Sequence, residues 1–294
     1  MTSAGGDGAR ALRRRVETLA GSIGERNVWK YERLQRAADY IDAELRANGY
    51  APERQTYDVS HLAVSNIEAT LPGTTRGGEI VVLGAHYDTV PGCPGANDNA
   101  TGIAAVLELA QRVAARPHAR TIRFVAFVNE EPPFFKTPQM GSLVYATAAR
   151  QRGDRIVGML SLETMGCYSE ERHSQRYPAP IGWLYPDVGN FIGFVSDVKS
   201  ARLLMRARAA FRSRTSFPLR CAAVPSTIPG VGWSDHWAFW HAGYPAMMVT
   251  DTAPYRYPWY HTAADTPEKI DYERLARVVD GLEHVIAILA ASGR

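Results

Sequence analysis

The stretch GAHYDTVPGCPGANDNATG, Gly84–Gly102, decides how this chain is read. An apolar run, Ile80–Leu83, feeds into His86-Tyr87-Asp88, and a loop rich in Gly, Pro and Asn then carries Asp98. The loop enters a helical pattern at Thr101, TGIAAVLELAQRV. A strand that ends in an imidazole and a loop that delivers a carboxylate to a helix start make two halves of a metal site. The remaining ligands must come from further along.

Working outward, Glu79–Ala85 is apolar without alternation, the pattern of a strand buried on both faces. Thr121–Asn129 and Ile156–Glu163 repeat it, Phe191–Ser196 gives a fourth such strand, and Arg220–Val224 and Pro245–Asp251 add two more. Two short strands, Thr56–Ser60 and Ser65–Leu71, come earlier with no helix between them, which predicts an antiparallel edge. Helices are expected at Tyr31–Asn48, Thr101–Val113, from about Gly141, at Ala201–Arg212, at an Asp-capped SDHWAFWHAG and at Tyr272–Ala290. Strands alternating with helices predict an α/β protein: a three-layer α/β/α sandwich on a mixed, mostly parallel sheet of about eight strands. Residues 1–9 are expected to be disordered. No repeat or Pro/Ser-rich linker divides the rest, so residues 1–294 are read as a single domain.

Bulk composition narrows the function. A net charge of +3, with no basic block beyond Arg13-Arg14-Arg15 in an expected surface helix, argues against nucleic acid as a partner. No run is long and apolar enough to span a membrane, and the polar N-terminus is no secretory signal, so a cytoplasmic protein is expected. Cys93, Cys167 and Cys221 are too scattered for a disulfide framework, although a Cys167–Cys221 pair stays open. The oligomeric state is not legible.

In an open α/β sheet ligands gather beyond the carboxyl ends of the strands. Those ends carry His86, Glu130-Glu131, Glu163 and His261, with Asp98 on the first loop. Zinc-like ions accept neutral imidazole and carboxylate, and a two-oxygen carboxylate such as Asp98 can bridge two ions about 3.5–4 Å apart. Adjacent residues at a strand end point different ways. One of Glu130 and Glu131 can therefore bind metal while its neighbour serves as general base. Asp88, two residues past His86, is expected to accept the other ring N–H of that histidine.

These residues carry a resemblance. With SNIEATLPG, VVLGAHYDTV, the NDNATG loop, FVNEE, MGSLVYA, SDHWAFWHAGYPAMMVTDT and YHTAADTPEKIDYERL, the chain from Tyr31 onward resembles the di-zinc aminopeptidases of the bacterial leucyl aminopeptidase type. That family also includes glutamate carboxypeptidase and glutaminyl cyclase. The resemblance implies two Zn(2+) per chain, with Co or Mn as possible substitutes. It assigns His86, Asp98 and Glu163 to one ion, and Asp98, Glu131 and His261 to the other. Glu130 becomes the catalytic base, and Asp88, as the expected orienter of His86, is counted with it among the catalytic residues. The implied function is a metal-dependent exopeptidase that hydrolyses the N-terminal bond of a peptide substrate. Glu163 departs from the pattern, since many members carry Asp there.

Each residue alone has a plainer reading. H-x-D is a common triplet, Glu130-Glu131 could be a solvated charge pair, and Glu163 a mere strand-end acid. Their occurrence in order at successive strand ends argues for metal. His236 is read as structural, with Ser234 or Asp235 capping its helix. His61, His118, His173, His241 and His284 belong to no motif, and the sequon at Asn99 is read as chance. Among the aromatics, Phe134, Phe135, Tyr255, Tyr257 and Trp259 are expected around the substrate. The rival functions are a single-zinc glutaminyl cyclase-type acyltransferase, a di-zinc carboxypeptidase or deacylase, and a non-catalytic binding protein.

Overall fold

Strands that are apolar throughout need cover on both faces. The computed structural model, which describes residues 3–178 and 185–291, shows that cover. In chain order its strands are β1 (Glu53–Val59), β2 (Leu62–Leu71), β3 (Arg76–His86), β4 (Arg120–Phe127), β5 (Arg155–Glu163), β6 (Ile192–Ser196), β7 (Leu219–Ala223) and β8 (Ala246–Thr250). They form one sheet in the order β1-β2-β4-β3-β5-β8-β6-β7. The central strands β4, β3, β5 and β8 run parallel. The early hairpin β1–β2 joins β4 antiparallel, as expected of a strand pair with no helix between them.

The helices are α1 (Ser3–Val16), α2 (Tyr31–Ala47), α3 (Thr101–Val113), α4 (Gly141–Arg152), α5 (Ala201–Arg214), α6 (His236–His241), α7 (Ala253–Arg256) and α8 (Tyr272–Ala290). Alternation along β3 explains the two apolar layers. Val81 and Leu83 join a core with Leu34, Ile103, Leu107 and Leu282, whereas Ile80 and Val82 join Phe127, Tyr145, Met159 and Phe239. The helix α3 is buried almost along its length, and Gly102 lets it approach β5. A Cβ there would stand 2.5 Å from the Leu162 carbonyl oxygen. No helix among the described residues is long and apolar enough to cross a membrane. The three cysteines are free.

Three expectations need correction. Residues 1–9 were expected to be disordered, yet α1 starts at Ser3, and residues 1 and 2 lie outside the described residues. Its face of Ala9, Leu12 and Val16 is buried because α1 lies against α3 and α8, with the Arg13 guanidinium 4.3 Å from the centre of the Tyr272 ring. The arginine run is likewise not all on the surface. Arg15 is 1% exposed, pairs with Glu44 (2.9 Å) and with Glu108, and donates to Gln111 (2.8 Å), so one side chain joins α1, α2 and α3. Finally, α6 is not capped by Asp235 or by Ser234: Asp235 has helical backbone angles and makes no capping bond, and the Ser234 hydroxyl points elsewhere.

Buried Glu108 also pairs with Arg112 (2.8 Å), so removing Arg15 would leave it one cation while the bonds to Glu44 and Gln111 are lost. Arg15→Ala is therefore expected to lower the free energy of unfolding by about 1.5–3 kcal/mol. The exposed Arg14→Ala should change it by no more than about 0.5 kcal/mol. Urea unfolding followed by circular dichroism checks the contrast.

Candidate metal centre

The parallel strands bring their carboxyl ends to one edge of the sheet. His86 is the last residue of β3 and Glu163 the last of β5, while the chain leaving β4 reaches Glu130-Glu131. His261 arrives on the loop beyond α7. Asp98 comes from the loop between β3 and α3, which turns at Gly95 (φ +65). A Cβ on Gly95 would meet the Asp98 carbonyl oxygen at 2.4 Å, so the loop closes that tightly only with glycine. Asn129, Thr164 and His261 also have positive φ, and such strain gathers at functional sites.

All six expected residues meet. The two oxygens of Asp98 face different imidazoles: Oδ1 lies 3.2 Å from His86 Nε2, and Oδ2 lies 3.1 Å from His261 Nε2. Glu163 Oε2 is 3.4 Å from His86 Nε2, and Glu131 Oε2 is 3.2 Å from His261 Nε2. Glu130 Oε2 stands 3.8 Å from His86 Nε2. Three trios have atoms close enough to share an ion: His86/Asp98/Glu163, Asp98/Glu131/His261 and His86/Glu130/Glu131. Asp98 Oδ1, Glu131 Oε1 and His261 Nε2 are buried atoms without a hydrogen-bond partner. Two imidazoles with three carboxylates are the donor set of a zinc-type centre, and the orphaned atoms point inward to it, so these residues fit such ions.

The electrostatics follow from crowding. Burial, with Asp98 adding to it, pushes the Glu131 carboxyl up to about 8, and burial lifts Glu130 and Glu163 as well. Burial alone would depress both histidines. The neighbouring Glu163 and Glu130 nevertheless raise His86, and Asp98 and Glu131 raise His261 to about 10. Asp98 also resists burial, because His261 and His86 hold it well below the usual carboxylate range.

Asp88 does a different job from the expected one. Its Oδ1 accepts the Glu130 N–H and its Oδ2 the Glu131 N–H, both at 3.1 Å. His86 Nδ1 faces the Asp88 carbonyl oxygen (3.2 Å), whereas its 3.6 Å separation from the carboxylate is too long for a hydrogen bond. The carboxylate aims the two glutamates, and the backbone of the same residue orients the histidine.

Other groups at the site were missed or misplaced by sequence reasoning. Ser234 donates to Glu163 Oε2 (2.6 Å), and Asp235 is wholly buried with both oxygens unpartnered, burial pushing it up to about 7. Their adjacency to an expected helix start masked both. His236 Nε2 donates to the Val231 carbonyl (2.8 Å), the structural role expected of it. Asn99 is fully buried with its amide bonded to Leu162 O and Gly102 N, so the sequon is not presented. Beside Glu163 opens an apolar cleft of about 120 Å³ lined by Val231, Trp233, Met248, Tyr255 and Tyr260 among others. Of the aromatics expected there only Tyr255 lines it. Phe134, stacked with the exposed Trp29, and Phe135 and Trp259 do not, and Tyr257 is buried.

Residues 66–286 match the family described as Peptidase family M28. The uncharacterized protein YfbL of Escherichia coli (strain K12) is 34% identical over 280 residues, covering 92% of this chain and 85% of that protein. Leucine aminopeptidase 1 of Arthroderma otae is 26% identical over 256 residues, covering 82% of this chain but only 62% of its own length. Among solved structures, a zinc aminopeptidase from Bacillus subtilis, BSAP, superposes with a TM-score of 0.78 at 16% identity, covering 97% of this chain and 95% of that one. At that identity the likeness speaks for the fold.

Ligands bind an ion deprotonated, and in the metal-free site His261 and Glu131 both have proton affinities raised above their ordinary values, the histidine by its carboxylate neighbours and the glutamate by burial. Raising the pH removes the competing protons. Zinc affinity is therefore expected to rise from pH 6 to pH 8, with proton release on binding. Calorimetric titration in buffers of different ionisation enthalpy measures both, and a pH-independent affinity would contradict the assignment.

Proposed function

The chain belongs to peptidase family M28 and is a metallopeptidase, and we propose that it is an aminopeptidase working with two zinc ions. His86, Asp98 and Glu163 would hold one ion, and Asp98, Glu131 and His261 the other. The observation that carries this reading is the Asp98 carboxylate, whose two oxygens each face a different imidazole at 3.1–3.2 Å with one further glutamate completing each trio. When bound, such ions polarise a carbonyl and acidify water.

The chain's own residues do the rest. Glu130 belongs to neither assigned trio and is held by its N–H on Asp88, with its carboxyl aimed at the same space. Burial raises its proton affinity, which suits a group that takes a proton from the attacking water and returns it to the leaving amine. Glu163, kept in place by Ser234, offers negative charge to a free α-amino group at the mouth of the apolar cleft. The cleft would take an apolar N-terminal side chain, so the substrate is read as a peptide with a free, apolar first residue. We further read residues 1–294 as one zinc-peptidase domain, a reading that the single eight-stranded sheet supports.

Glu130→Gln keeps the shape and removes the base. It is expected to retain zinc at the wild-type amount while kcat on an N-terminal leucyl peptide falls by about 100-fold or more. Metal analysis beside steady-state kinetics tests this, and near-normal turnover refutes the assigned base. N-acetylation of the same peptide should abolish its cleavage, whereas a single tightly held zinc with cyclisation of N-terminal glutamine would favour the cyclase instead.

A further inference from the structure

The loop that carries Asp98 is gripped from two sides by buried groups that belong to neither trio. On one side Arg26, 0% exposed, donates from Nη1 to the Pro94 carbonyl (2.5 Å), from Nη2 to the Gly95 carbonyl (2.9 Å) and from Nε to the Tyr87 carbonyl (2.6 Å). On the other side Asp265, also 0% exposed, accepts the Asn97 N–H at Oδ1 (2.8 Å) and the Asp98 N–H at Oδ2 (3.1 Å). The Tyr257 hydroxyl donates to Asp265 Oδ1 (2.7 Å), and the Asp265 carbonyl takes the Ala96 N–H (3.1 Å). Among the described residues neither Arg26 nor Asp265 has a salt-bridge partner within 4.0 Å. A buried guanidinium and a buried carboxylate thus direct most of their bonds to the loop backbone, Arg26 Nη1 also reaching the Gly24 carbonyl (3.1 Å), and the charge of Asp265 acts on Arg26 in surroundings of low dielectric.

We infer that Arg26 and Asp265 form a clamp that positions the Asp98 carboxylate between the two imidazoles. Zinc binding at both positions therefore depends on the clamp together. The inference rests on the two-zinc reading and deepens it. Its signature comes from sharing. Glu131 and Glu163 each complete one assigned trio, so losing either weakens one position. Displacing Asp98 moves Oδ1 away from His86 and Oδ2 away from His261 in the same step. Asp265 is four residues past His261, so a single loop supplies both a candidate ligand and the strap for the shared one.

The test is zinc titration of the full-length Asp265→Asn variant beside wild type and Glu131→Gln, with bound equivalents counted by elemental analysis. Asn puts an N–H donor where the Asp98 or Asn97 N–H needs an acceptor. Both zinc equivalents are expected to weaken in parallel by about 10–100-fold. Glu131→Gln should weaken only one. At saturating zinc, kcat of Asp265→Asn on leucine p-nitroanilide should fall while KM stays near wild type, because Asp98 would face the ions and not the substrate. If Asp265→Asn does not fold, Tyr257→Phe, which removes one donor to Asp265, should weaken both equivalents by a smaller common factor. A folded variant that loses one equivalent alone, or neither, overturns the clamp. A wild-type chain that binds fewer than two equivalents overturns the two-zinc reading and the clamp with it.

Discussion

A single carboxylate held between two imidazoles sets the terms for this end of the molecule. Asp98 is 2% exposed, and an acid taken so far out of water is tolerated only where fixed partners replace the water. The surrounding chain fits that demand. Asn97 accepts from Gly166 N and donates to Asp251, and Asn99 accepts from Thr164 N and donates to Leu162 O. Those bonds tie the loop to the segment after β5 and to the residue following β8, the same elements that bring Glu163 and lead to His261. Placement of the shared acid and placement of its neighbours are therefore one problem, solved by one hydrogen-bond network.

The glutamate pair shows how a short chain segment acquires two roles. Glu130 and Glu131 follow the positive-φ residue Asn129, and the two oxygens of Asp88 accept their successive N–H groups. With both amides pinned to one carboxylate, the side chains diverge. Glu131 turns to His261, and Glu130 stays nearer His86. Neither residue needs its own scaffold, since β3 and β4 run parallel and hold Asp88 level with the doublet.

The sheet was legible because burial on both faces leaves a nearly continuous apolar run, which β3 displays outright and β4 and β5 display with single polar interruptions at Arg123 and Ser161. The candidate ligands were legible because a parallel sheet converts strand ends into one edge, so order in the sequence becomes proximity in space. What stayed hidden depends on contacts between distant segments. Nothing local marks Arg15 as buried while its neighbours Arg13 and Arg14 are exposed, because the distinction is made by Glu44 and Glu108. Asp265 and Arg26 are single polar residues in unremarkable stretches, and they gain meaning only where the loop passes between them. Ser234 and Asp235 were legible as residues but not as roles, since a polar pair before a short helix looks like a cap whether or not it caps.

The first helix has one more consequence, for the time course of synthesis. The apolar face of α1 is covered by α3 and by α8, the last element of the fold. As the polypeptide emerges from the ribosome, α3 can cover part of that face early, but the part that α8 covers waits until every other described element has been made. An early helix is thus completed last, and its bare strip meanwhile needs protection from neighbouring nascent chains.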